Sequence, residues 1–220
     1  MHHKELTSMA LNIEFLVISV IQGLAIQMLA ANVMPIFNES KFEYSFYAIS
    51  GFILILIFWS QSIIHALSFI DWPIDLIHTF LYFLASIVEV IAFAYLTNPL
   101  RWFIFSFVFV CTTSVLYAYD FKMIKKHKKR IESNEGGRKV YEHTYKQQVA
   151  EMRYLVPSAL VFCAAAVCLI YFNNTLFIDQ KYHVVLASLQ AISSIVLLII
   201  TVTSFKTRSH LLTTALSDRT

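Results

Sequence analysis

The residues best suited to chemistry form one stripe along an apolar segment in the first half of the chain. Their side chains follow one another at three- or four-residue steps, so on an α-helix they share a face: Asp75, His78, Tyr82, Ser86 and Glu89. Glu89 lies well inside the segment, where a charged side chain costs roughly 2.5–3.5 kcal/mol on membrane insertion scales. This position predicts either a proton- or cation-responsive carboxylate that lines a pathway, or a neutral acid hydrogen-bonded to a neighbouring helix.

Polar residues also interrupt the two apolar segments that precede this stripe. Gln61 and His65 lie in the second segment, and Glu14, Gln22 and Asn32 lie in the first. These side chains fit two interpretations. They line a pore together with the stripe, or they form interhelical hydrogen bonds, which contribute about 0.6 kcal/mol each and require no transported solute.

Two histidines and two aspartates flank the short turn between the second and third segments. Imidazole and carboxylate groups suit Zn²⁺ or Mn²⁺, and these residues are His65, Asp71, Asp75 and His78. No zinc-site spacing is present, and the aspartates are equally suited to cap helix ends, so a metal site stays open. The sequence has no phosphate-binding glycine loop and no hydrolase nucleophile elbow. It therefore predicts no cofactor, and an enzyme is disfavoured.

The elements that must position these residues are long apolar runs. The chain has 220 residues, of which 58% are hydrophobic and only 14% charged, whereas soluble domains carry about 25% charged residues. Its apolar runs reach the roughly 18 residues that cross a hydrocarbon core, and they cover about 9–37, 46–70, 76–96, 100–120, 155–172 and 183–205. The sequence predicts an all-α, polytopic membrane protein: a single bundle of six transmembrane helices with short loops.

The charge distribution predicts the orientation of this bundle. The segment 122–153, predicted to be a basic cytoplasmic loop, carries ten Lys or Arg residues against four Glu. With a cytoplasmic amino terminus, the cytoplasmic side receives fourteen Lys and Arg residues and the other side three. By the positive-inside rule, both termini are predicted to be cytoplasmic.

The same loop contains the strongest charge run of the chain. Basic residues near a membrane surface gain about 1 kcal/mol each from anionic lipid, and the candidates are Lys125, Lys126, Lys128, Lys129 and Arg130. They are predicted to contact lipid or a partner protein. The alternative is that the run serves only as the topology signal.

The layout resembles the six-helix bacterial relatives of the lysosomal potassium channel family. The likeness lies in the length, the six spans, the basic loop between the fourth and fifth spans, and Phe58-Trp59 followed by His65, which leads through Asp71 into an aromatic-rich third span. The family's first helix carries an Arg followed by Phe-Ser-Asp, whereas the matching region here, residues 7–12, reads Thr-Ser-Met-Ala-Leu-Asn. The resemblance therefore implies a membrane channel and does not extend to potassium selectivity.

Together, these features predict a channel or transporter subunit for a small cation or proton. Its pathway would be lined by the polar faces of spans one to three, and it would act as a homo-oligomer in the lipid bilayer of a bacterial inner membrane, without a nucleic-acid partner. A second hypothesis is a non-conducting scaffold or sensor whose basic loop binds anionic lipid or a partner protein. A membrane-embedded enzyme subunit is a third.

Overall fold

The chain folds as a set of helices. The computed structural model describes residues 2–68, 76–126 and 135–217, and all regular structure within these ranges is helical. The α-helices are α1 (His2–Asn38), α2 (Ser45–Ser68), α3 (Leu76–Phe93), α4 (Pro99–Lys126), α5 (Glu135–Ala150), α6 (Val156–Phe172) and α7 (His183–Ser217). A 3-10 turn at Phe42–Tyr44 and π-helical segments at Glu151–Leu155 and Thr175–Asp179 complete them.

Five helical stretches of the described ranges are long and apolar enough to cross a membrane. They are Phe15–Asn38, Phe42–Ser62, Pro99–Lys125, Tyr141–Phe172 and His183–Thr207. Helix α3 is also apolar but shorter, with Ile77–Phe93 as its apolar stretch. Large apolar side chains on the outward faces, such as Leu16 and Val161, are exposed, as contact with lipid requires. The predicted all-helical integral membrane protein is confirmed.

Helical structure extends into both ends of the segment predicted as a basic loop. Helix α4 continues to Lys126, and α5 begins at Glu135 and leads through the π-helical segment Glu151–Leu155 directly into α6. Gly136 and Gly137 lie in the first turn of α5. Pro157 follows at the start of α6, directly after the π-helical segment, and because proline has no backbone N–H it interrupts the series of helical hydrogen bonds at this point.

The helices pack in a defined order around an interior space. Helix α1 lies against α2 and α3, α3 lies against α4, and α4 lies against α6. Helix α7 packs on α2 and α5. The starts of α2, α4 and α7 therefore meet at one end of the bundle. The start of α3, the end of α4, and α5 meet at the other, which we call the basic end.

Four buried rings and one half-buried ring fill the first of these ends, which we call the aromatic end and define as Tyr44, Tyr47, Trp102, Phe103 and His183, with Tyr44 the half-buried one. The Tyr47 ring centroid lies 5.6 Å from that of Trp102 and 6.1 Å from that of Phe103, both in edge-on geometry. The Tyr47 hydroxyl lies 3.0 Å from His183 Nδ1, and Tyr44 stacks on the same imidazole. Aromatic pairs of this kind contribute about 0.5–1.5 kcal/mol each beyond area burial, so this end is tightly closed.

The first three helices pack closely around Gly51. A Cβ atom at this position would lie 2.9 Å from Phe93 Cε1 and 3.1 Å from Leu29 Cδ1. Real Cβ atoms do not approach a ring carbon at the shorter of these distances. Glycine in the middle of an apolar helix is therefore explained here by the close packing of α1 and α3 on α2.

Candidate functional site

A partly open cavity of about 380 Å³ lies between α2, α3, α4, α5, α6 and α7. The cavity is therefore many times larger than the space that one water molecule needs. Its walls are mainly apolar, with polar side chains contributed by every one of these helices: Gln61, Ser62, His78, Tyr82, Ser106, Thr113, Asp120, Thr144, Gln148, Ser158, Gln190 and Ser194. The cavity therefore offers several hydrogen-bonding side chains along otherwise apolar walls.

An ionisable pair faces the cavity at the basic end. His78 Nε2 lies 3.4 Å from Asp120 Oδ1, and the two side chains are only 13% and 11% exposed. The antiparallel packing of α3 on α4 brings them together, because His78 follows the start of α3 and Asp120 precedes the end of α4. Histidine is the side chain that changes charge near neutral pH. The pair can thus bind a proton or contribute a carboxylate oxygen to a cation.

Helix α5 contributes amide and hydroxyl groups next to this pair. Thr144 and Gln148 line the cavity, and Gln148 Nε2 donates to the Tyr117 carbonyl oxygen of α4 at 3.4 Å. The adjacent Gln147 donates through Nε2 to Glu151 Oε1 one turn further along at 2.6 Å, and its Oε1 accepts a hydrogen bond from Ser204 Oγ of α7. These contacts attach α5 to the bundle and place its polar face against the cavity.

The cavity ends at a buried hydrogen bond made by Trp102 of the aromatic end. Trp102 Nε1 donates to Gln190 Oε1 at 2.8 Å; the Trp102 side chain is fully buried, and Gln190 lines the cavity. Along α4 the lining extends from Ser106 to Ile124, a length of about 27 Å at 1.5 Å per residue. The space therefore follows the helices from the basic end and stops at the Trp102–Gln190 contact.

The predicted stripe on α3 is divided between two environments. His78 and Tyr82 line the cavity, whereas Glu89 is 2% exposed and lies on the part of α3 that packs against α1. Gln22 of α1 is the polar neighbour of the Glu89 carboxyl group, and its Nε2 donates to the Tyr82 hydroxyl at 3.1 Å. Ser86 Oγ donates to the Tyr82 carbonyl oxygen within α3 at 3.0 Å. Ser86, Glu89 and Gln22 thus belong to a helix interface rather than to the cavity wall.

Two other predicted residues have contrasting partners. Gln61 lines the cavity, and its Nε2 donates to Thr201 Oγ1 of α7 at 3.4 Å. Asn32 Nδ2 donates to the Met28 carbonyl oxygen of its own helix at 2.9 Å. Gln61 therefore joins two helices at the cavity, while Asn32 contacts its own helix.

Several predicted residues lie outside the part of the chain that the structure describes. These are Asp71, Asp75, Lys128, Lys129 and Arg130, together with the side chains of Glu14, His65 and Lys126. Lys125 is described: it is exposed at the end of α4, with Nζ 4.2 Å from the Phe121 ring centroid. Among the described residues, no group of three or more His, Cys, Asp or Glu is arranged to hold a metal ion.

Sequence reasoning missed Asp120 and the Trp102–Gln190 contact. Asp120 ends an aromatic apolar run directly before the lysine-rich segment, and an acidic residue at that boundary was the available signal. Trp102 follows Arg101 at the start of an apolar run, a pattern typical of an indole ring at the membrane interface. Its burial depends on Tyr47 and Gln190, which are distant in the sequence and become neighbours only in the folded bundle.

Comparisons of the chain with family models, with curated proteins and with solved structures find no match. The function must therefore be inferred from the geometry of the site.

Proposed function

We propose that this chain is a membrane transport protein for a small cation or a proton, and that the solute passes through the cavity between α2 and α7. The observation that carries the proposal is the His78–Asp120 pair, 3.4 Å apart and facing a cavity between the helices that polar side chains from six helices help to line. Ionisable residues are costly within a membrane, where they mark ion and proton pathways. The proposed path thus uses α2 and α3, as the sequence predicts, and α4 to α7 in place of α1.

Helix α3 is proposed as the sixth span. Its start contacts the end of α4 through His78 and Asp120, and beyond its end Tyr95 stacks on Phe105 near the start of α4, with ring centroids 5.3 Å apart. Helix α3 therefore runs back along most of the length of α4. If α4 crosses the bilayer, α3 must return across it to reach the aromatic end.

The basic end is proposed to be cytoplasmic, with both termini on that side. The support is the excess of Lys and Arg in segments connected to this end. A bacterial inner membrane is the corresponding location. Because the cavity lies within one chain, each subunit of the expected homo-oligomer would contain its own path.

The closed aromatic end favours a carrier over a permanently open channel. A solute that enters from the basic end meets the Trp102–Gln190 hydrogen bond and the rings of Tyr47 and Phe103. Passage requires this end to open. In alternating access, one side of a transport protein is closed while the other admits solute, and this structure corresponds to the state closed at the aromatic end.

Flux through liposomes containing the purified protein tests the proposal. A proton or monovalent cation gradient should dissipate faster with the protein present, and Asp120→Asn should slow this flux by about tenfold or more, equivalent to roughly 1.4 kcal/mol of barrier. Asp179→Asn is the matched control, because Asp179 is exposed in the π-helical segment Thr175–Asp179, outside the cavity. Absence of flux under any gradient, or unchanged flux in Asp120→Asn, would contradict the proposal.

The same liposome preparation distinguishes a transport protein from the alternative, a non-conducting scaffold or sensor. Neutralising Lys125, Lys126, Lys128, Lys129 and Arg130 together should leave flux intact if the cavity carries it. A protein that shows no flux, but binds anionic vesicles only while this run is present, would favour the scaffold or sensor.

A further inference from the structure

The interface between α1 and α3 contains a buried carboxyl group that the cavity does not use. Glu89 is 2% exposed, and neither of its carboxyl oxygens has a hydrogen-bond partner among the described residues. The Oε1 atom of its neighbour Gln22 is also buried without a partner. The interface therefore holds three buried side-chain oxygen atoms that have no hydrogen-bond partner among the described residues.

One proton bound to the Glu89 carboxyl group provides a hydrogen-bond donor for this interface. The Gln22 amide nitrogen donates one N–H to the Tyr82 hydroxyl, while Gln22 Oε1 has no partner among the described residues. A protonated Glu89 gains an O–H donor, which can bond to Gln22 Oε1. An ionised Glu89 would instead be a buried charge without a cation, one of the most costly arrangements in a protein interior.

The surroundings contain no described charge that could replace the proton. The groups that interact with Glu89 are Gln22 of α1 and Tyr82 of α3. On α4, the acid facing α3 is Asp120, which contacts His78, eleven residues and about 16 Å along α3 from Glu89. Glu14 precedes Gln22 on α1 by eight residues, or about 12 Å.

We propose that Glu89 is a proton-binding site at the α1–α3 interface, separate from the cavity, and that its bound proton is donated to Gln22. Losing the proton would leave a charge between two closely packed helices, so the site's occupancy is linked to the packing of α1.

The site also has a connection to the cavity. Gln22 donates to the Tyr82 hydroxyl, and the Tyr82 ring stacks on Phe58 with centroids 4.6 Å apart. Both rings line the cavity. Protonation of Glu89 is therefore coupled to the cavity wall, and the coupling is reciprocal, as linkage requires. The coupling rests on the proposed function, whereas the proton site itself does not.

Infrared titration of the protein in lipid nanodiscs tests the site directly. The carbonyl stretch of a protonated carboxylic acid should be present at neutral pH, disappear reversibly as the pH is raised while the protein stays folded, and be lost in Glu89→Gln. Glu142→Gln is the control, since Glu142 is 55% exposed on α5 and should leave the band intact. A band that Glu89→Gln does not remove, or that persists up to the pH of unfolding, would overturn the proposal.

A second variant leaves the carboxyl group in place, and so tests the site even if Glu89→Gln does not fold. Gln22→Leu removes the acceptor for the proposed O–H bond, and should shift the Glu89 carbonyl band and its titration midpoint. An unshifted band would overturn the assigned partner. These measurements need no transported solute. Absence of flux in the liposome experiment therefore leaves the proton site standing, and a failed infrared result leaves the cavity proposal standing.

Discussion

Single residues hold the helices together through a few buried polar contacts. Trp102 Nε1 donates to Gln190 Oε1, and the Tyr47 hydroxyl contacts His183 Nδ1 across the same end of the bundle. Each contact joins helices far apart in the sequence. A buried donor left without its acceptor costs about 1–3 kcal/mol, so even a few such pairs contribute measurably to the free energy of unfolding.

The Trp102–Gln190 contact supports a prediction about stability. Gln190→Leu should lower the free energy of unfolding by about 1–3 kcal/mol, because the Trp102 N–H stays buried without an acceptor. Gln180→Leu, at an exposed turn, should have little effect on the thermal unfolding midpoint in detergent. Adding Trp102→Phe to Gln190→Leu should recover part of the loss, since the orphaned donor is then removed. An unchanged midpoint for Gln190→Leu would contradict this account.

The candidate site was predictable from sequence only in part. Helical spacing correctly places His78, Tyr82 and Glu89 along one stretch of helix, but it cannot tell which neighbouring helix covers each part. Helix α1 covers Glu89, while His78 and Tyr82 face the cavity. Asp120 was missed because its role depends on meeting His78, a long-range contact that a one-dimensional pattern does not contain.

At the scale of elements, close packing of α1, α2 and α3 determines the shape of one side of the bundle. Gly51 lies where Phe93 and Leu29 approach α2, whereas nothing lies within 4 Å of the Cβ position of Gly23 on α1. Composition identified these helices reliably, since apolar runs of this length need a bilayer. Composition could not show that α4 extends into the basic segment 122–153 or that α5 lies within it, because lysine and glutamate are compatible with both helix and loop.

The two glycines provide a matched test of this packing. Replacing either with alanine gains the same helix propensity, about 1 kcal/mol, so the difference between the variants isolates the steric effect. Gly51→Ala should be less stable than Gly23→Ala by about 1–3 kcal/mol, the cost of overpacking a filled interior. Chemical denaturation in mixed micelles would measure both. Equal stability of the two variants would show that α1 and α3 do not meet α2 as described.

At the scale of the whole molecule, the two ends of the bundle differ. The aromatic end is closed, whereas the basic end is polar, and this difference relates to the proposed orientation in the membrane. Charged residues predicted this orientation from sequence, because topology depends on the sum of many Lys and Arg residues. The cavity could not be predicted in the same way. Its existence depends on how several helices pack around a space that no single segment defines.

Reporter fusions test the proposed topology. A reporter active only in the cytoplasm should work when fused at either terminus or inserted within 127–134, and should fail when inserted after Asn98 or after Asn174. This pattern follows only if α3 crosses the membrane as a sixth span. Activity after Asn98 would show that α3 does not cross, and that the two ends of the bundle have been misassigned.

Modification of a cavity residue tests the central claim most directly. In a protein whose native Cys111, Cys163 and Cys168 are replaced by alanine, Ser194→Cys places a thiol in the cavity, and Ile195→Cys places one on the outer face, where Ile195 is 42% exposed. A bulky, cationic, water-soluble thiol reagent added from the basic end should stop proton or cation flux through Ser194→Cys liposomes and leave Ile195→Cys flux unchanged. Undiminished flux after complete labelling of Ser194→Cys would contradict transport through this cavity.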